Sequence, residues 1–142
     1  MNTNKIIVGG IIGGIVSFLL GWLVWGMLLA DFMTQHQTEA GKAVMRGEEN
    51  MIWWAMIVAN LFYGWLVSYV VGKAGSNSIG AGATTGAVTG LLFAVSIDCF
   101  LYGTTDISDT TWLIVDVVAN TVVTAIIGAV IGWYMGMGKK AA

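Results

Sequence analysis

Four apolar runs of bilayer length constrain this chain more than any other feature: residues 6–29, 51–72, 79–102 and 112–135. The first two hold no charged residue, and the last two hold one aspartate each, Asp98 and Asp116. A helix needs about 20 apolar residues to cross roughly 30 Å of hydrocarbon, and backbone polar groups in lipid must find partners within their own segment. The runs are therefore predicted to be transmembrane helices. The fold class expected is all-α, a compact four-helix membrane bundle forming one domain over 1–142. Composition agrees, since 57% of the residues are hydrophobic, against about 45 to 50% in a soluble domain. The run after Lys5 outlasts the roughly 7 to 15 residues of a signal-peptide core and lacks a small-x-small site before Asp31, so it reads as a retained anchor helix.

The connections are unequal: a polar stretch over 34–50, a short turn at 73–78 and an acidic turn at 103–110. In the long one, Glu39, Lys42, Arg46 and Glu49 recur every three or four residues, which predicts a short interfacial helix. Lys5, Lys73, Lys139 and Lys140 mark one side of the bundle, and Asp106 and Asp109 the other, where Lys42 and Arg46 also fall, among three glutamates of the first loop. The positive-inside rule then places both termini in the cytoplasm, in what we expect to be a bacterial cytoplasmic membrane. Trp53, Trp54 and Trp112 fall at the outer interface, and Tyr69, Trp133 and Tyr134 at the inner one, where amphipathic rings settle.

Each run carries a row of small or polar residues at every fourth position. Gly9, Gly13, Ser17 and Gly21 lead to Trp25, and Asn60 leads to Gly64, Ser68 and Gly72. Gly82, Gly86, Gly90 and Ala94 lead to Asp98, and Asp116, Asn120 and Thr124 lead to Gly128, Gly132 and Gly136. Such rows let helix backbones approach closely in lipid, where no hydrophobic force drives association. Val58-Ala59-Asn60 recurs as Val118-Ala119-Asn120, and Gly9 and Gly13 recur as Gly82 and Gly86. Two explanations stay open, a duplicated helical hairpin and chance similarity in a chain with 20 glycines.

The candidate chemistry lies at Asp98 and Asp116. Asp98 precedes Tyr102 by four residues and Asp116 follows Trp112 by four, so antiparallel helices would set both carboxylates about 6 Å below the outer interface. Two carboxylates facing each other in a partly dry site repel, and a shared proton or a bound cation would relieve that repulsion. Asn60 and Asn120 lie about a turn deeper and would complete a polar pocket roofed by Trp25, Trp53 or Trp54. The competing reading makes the aspartates solvated through headgroup water and the asparagines simple interhelical glue. Asp31 and His36, at the outer end of the first helix, read as solvated cap or interface residues.

Other chemistry is not expected. Cys99 is the single cysteine and there is one histidine, so no disulfide or metal site is predicted, and no cofactor. No hydrolase or phosphate-loop motif appears, and an enzyme is not expected. Six scattered basic residues make no nucleic-acid patch. The segments Leu20-Gly21-Trp22-Leu23-Val24-Trp25, 93–103 and Ile127-Gly128-Ala129-Val130-Ile131-Gly132-Trp133 resemble a family of small bacterial four-helix membrane proteins known only as a domain of unknown function. That resemblance implies a fold and a location and carries over no catalytic residue. The expected partners are the lipid bilayer and either a homo-oligomer or a larger membrane complex. Two functions remain: a binding or permeation module with an outward-facing acidic pocket for a proton, cation or cationic solute, and a structural or accessory subunit packing through its small-residue faces.

Overall fold

A computed structural model describes residues 3–137. Lys139 and Lys140, used above for orientation, lie outside the described residues. Six α-helices follow one another: α1 (Thr3–Leu23), α2 (Ala30–Gln35), α3 (Glu39–Val44), α4 (Trp53–Lys73), α5 (Ile79–Thr104) and α6 (Thr110–Gly136). No strand occurs among the described residues. Helix α1 runs on through a π-turn to give Thr3–Leu28; this segment, α4, α5 and α6 are long and apolar enough to cross a membrane. The architecture is the expected all-α four-helix bundle, with spans ending within a few residues of the boundaries read from hydropathy.

The small-residue rows are the seams of the bundle. Helix α1 packs chiefly on α4 and α5 chiefly on α6, while α1 and α4 each also touch α6. In the first seam a Cβ on Gly64 would collide with the backbone of Gly10, Gly13 and Gly14, and a Cβ on Gly10 would lie inside the Trp65 ring. In the second, Gly82 and Gly86 meet Gly128 and Gly132 backbone to backbone. Helix α5 is fully buried only at Gly82, Gly86, Gly90, Ala94 and Asp98, so its fourfold row is the centre of its protein-facing side. The chain thus forms two antiparallel hairpins, although their seams differ in register. Gly64 meets Gly10 to Gly14, but its sequence counterpart Thr124 meets Gly86 and Gly90.

Between the hairpins sits an apolar cluster of Val67, Val71, Val123, Ile127, Ile131 and Met135. It fills the half of the bundle nearer the termini. There Lys5 Nζ donates to the carbonyls of Met135 (3.0 Å) and Met137 (2.6 Å), placing a cation at the negative end of α6. Leu19, Phe62, Leu92 and Phe100 point outward and are mostly exposed, as lipid-facing side chains are.

At the opposite end the long connection folds into α2, α3 and a 3₁₀ turn, Glu48–Asn50. The expected interfacial helix is α3, in which Lys42 pairs with Glu39 at 3.0 Å; Arg46 and Glu49 lie beyond its end. This loop is clasped to the α5–α6 turn. Thr38 N–H donates to Ile107 O (3.2 Å), Gln37 and Ser108 form an antiparallel bridge, and Gly41 lies so close to the Ile107 carbonyl that no Cβ fits.

His36 Nδ1 lies 2.6 Å from Asp109 Oδ2, and Asp109 Oδ1 caps α6 by accepting from Trp112 N–H at 2.8 Å. The His36 hydrogen bond, and then the Trp112 N–H, hold the Asp109 carboxyl below its ordinary value of 3.8. A carboxyl held low in the folded state adds stability above its unfolded pKa and loses it as pH falls through the folded one. Acid below the ordinary carboxylate range should therefore weaken the clasp, leaving its backbone hydrogen bonds to hold the loop. Pepsin should cut within 36–50 only under those conditions in the wild type, and at higher pH in Asp109→Ala.

Candidate functional site

The site is built at the clasped end from α1, α5 and α6. Asp98 and Asp116 each lie six residues inside the loop-side end of their helices, about 9 Å along the axis. The α5–α6 seam brings them face to face, close enough for their carboxyls to interact directly. Both are buried, Asp98 being 7% and Asp116 6% exposed. The alternative in which both are freely solvated is therefore not what the packing provides.

Their surroundings differ. Asp116 is fully partnered: Trp25 Nε1 donates to Oδ1 at 2.6 Å, and Asn120 Nδ2 donates to Oδ2 at 2.7 Å. Asp98 Oδ2 is buried without a hydrogen-bond partner, and the indole nitrogen of Trp112, one turn before Asp116, is in the same condition. Among the described residues these are the two buried side-chain polar atoms left unsatisfied, and both lie at the loop-side end of one seam. A buried carboxylate oxygen with no donor costs a few kcal/mol, which the protein retains here beside a second carboxylate.

Trp25 reaches Asp116 because α1 changes its winding. Residues Val24–Leu28 form a π-turn, closed by Leu29 N–H to Val24 O at 2.7 Å. The wider turn re-aims Trp25 relative to Ser17 and Gly21, and such single π-turns often mark functional positions.

Two adjoining cavities lie beside this network, sharing Gly21, Trp25 and Asn60. The inner one, about 380 Å³, is lined by Ser17, Asn60, Tyr63, Phe93 and Asn120 among others, and Val123 closes it toward the apolar cluster. The outer one, about 530 Å³, extends beneath the loop residues Met45, Glu48 and Met51.

Of the residues expected to form the pocket, Trp25, Asp116 and Asn120 are hydrogen-bonded into one unit, with Asp98 against it. Asn60 shares the cavity wall with Trp25 and Asn120 but bonds elsewhere, accepting from Ser17 Oγ at 2.7 Å. Neither aspartate lines a cavity; Trp25 and Asn120 stand between Asp116 and the open space. Trp53 lines the outer cavity as anticipated, whereas Trp54 is 70% exposed and lines neither. Tyr63, whose hydroxyl lies 2.6 Å from Thr124 Oγ1, went unrecognised in the sequence because it sits off the small-residue row. Ser17 stood on that row and read only as packing.

No protein-family model, curated protein or solved structure matches this chain.

Proposed function

We propose that this protein is a small membrane binding module in which Asp98 and Asp116, near the loop end of the bundle, together hold one positive charge, a proton or a small monovalent cation. The observation that carries the reading is the buried, unpartnered Asp98 Oδ2 set against a fully partnered Asp116 carboxylate. Ionisable residues in a membrane span are costly and are kept where they bind or relay charge. One added positive charge satisfies the free oxygen and cancels the repulsion between the carboxylates. Trp25 and Asn120 hold Asp116 fixed, so the incoming charge meets a preformed partner. The apolar cluster beneath the inner cavity favours binding over open permeation, since Val67, Val71, Ile127 and Ile131 are fully buried there.

In this reading the chain sits in a bacterial cytoplasmic membrane with its termini inside. In the sequence Lys5, Lys73, Lys139 and Lys140 belong to the terminal side against Lys42 and Arg46 in the loop, and this excess of basic residues supports that orientation. The rival reading, an accessory subunit packing through its small-residue faces, draws on rows that the bundle already uses as its own seams, Gly82, Gly86, Gly90 and Ala94 being buried within the chain.

Charge-displacement electrometry on proteoliposomes separates the two. A jump in sodium, potassium or proton concentration should give a transient displacement in the wild type that disappears in Asp98→Asn and in Asp116→Asn. No transient with any of the three ions would remove the basis of the binding reading and leave the accessory one.

A further inference from the structure

We infer that the outer cavity binds a hydrophobic organic monocation, of the quaternary ammonium or phosphonium class. The inference deepens the binding reading, sharing with it the Trp25 wall, but it rests on a different set of residues. At about 530 Å³ the cavity is of small-molecule size. Three indoles, Trp22, Trp25 and Trp53, line it together with Met45, Met51 and Met56. Indole faces attract cations more strongly than other aromatic rings, and thioethers adapt to ligands of varied outline.

The charge of the lining decides the sign of the ligand. Glu48, from the 3₁₀ turn of the loop, is the one ionisable residue in the wall, and no lysine, arginine or histidine joins it. Arg46, two residues away, is not part of the lining. A phospholipid headgroup would require a cation for its phosphate, and the wall offers a carboxylate instead. An inorganic cation would need several oxygen ligands, whereas here one carboxylate and the Asn60 amide stand among aromatic and thioether groups. A delocalised or alkyl-shielded positive charge fits both features: its apolar body fills the Trp and Met walls, and its charge lies over indole faces near Glu48. Trp22 and Trp53 are half exposed toward the surroundings of the bundle, so a ligand of this kind can enter from the interfacial layer into which it partitions.

The test is isothermal titration of the full chain in nanodiscs of zwitterionic lipid, with tetraphenylphosphonium and the equally sized anion tetraphenylborate as probes, corrected against empty nanodiscs. Saturable binding of the cation and none of the anion is expected. Glu48→Gln and Trp53→Ala, both at exposed positions, should each weaken cation binding by about tenfold. Leu92→Ala, at an outward-facing position that lines neither cavity, should leave it unchanged, and the charge-displacement transient recorded on the same Glu48→Gln and Trp53→Ala chains should persist, so loss of the charge-sharing reading and loss of this one are read separately. Equal uptake of both ions, no saturable binding, affinity unaltered in both cavity variants, or a co-purifying lipid that tetraphenylphosphonium does not displace would each overturn the inference.

Discussion

Gly128→Leu should abolish the bundle in its native form, with a loss of about 3 kcal/mol or outright failure to fold. A Cβ at Gly128 would run into the Gly82 carbonyl oxygen and lie 2.8 Å from Gly86 Cα, so the obstacle is backbone and cannot rotate away. Helix α5 has no other seam of consequence. Pushing it off α6 also parts Asp98 from Asp116, and the site is lost with the fold. Gly80→Leu supplies the control, because nothing lies within 4 Å of its would-be Cβ. Unfolding in mixed micelles, followed by tryptophan fluorescence, should show Gly80→Leu close to wild type and Gly128→Leu already unfolded at low denaturant. Gly128→Leu behaving like Gly80→Leu would mean that α5 does not pack on α6 through this row.

The bundle was largely legible because lipid narrows the choices. Four charge-free or nearly charge-free runs specify four helices, and rows such as Gly82, Gly86 and Gly90 indicate which face each helix turns inward. From those two facts the antiparallel meeting of Asp98 with Asp116 follows, and the structure shows it. What stayed hidden depends on contacts that no helical period encodes. The π-turn at Val24–Leu28 has no proline to announce it, and without it the Trp25 bond to Asp116 could not be foreseen. The His36–Asp109 clasp joins residues 73 apart in two connections, each of which looked like solvated loop. Glu48 read as one of several loop charges and acquires a meaning only once the 3₁₀ turn places it in a cavity wall.

The second large effect concerns the two aspartates, whose replacements should act in opposite directions. Asp116→Leu strands the Trp25 indole N–H entirely and leaves Asn120 Nδ2 only the Asp116 backbone carbonyl at 3.2 Å. A loss of about 2 to 3 kcal/mol is expected, and Trp25→Phe in the same chain should recover part of it by removing the orphaned donor. Asp98→Asn removes a like charge and supplies an amide that can donate toward Asp116, so it should stabilise the protein. Such a gain would show that Asp98 is held at the expense of stability, as residues kept for binding often are.

The double-mutant cycle of Asp98→Asn and Asp116→Asn, measured by denaturation across pH, addresses the shared charge itself. A cycle isolates the interaction between two groups from their separate contributions. If the pair shares one positive charge, the coupling should reach about 1 kcal/mol or more. The gain from Asp98→Asn should then grow as rising pH strips that charge away, and vanish when Asp116 is already asparagine. Strictly additive effects at every pH would contradict the account, because two carboxylates that do not sense each other cannot be one site.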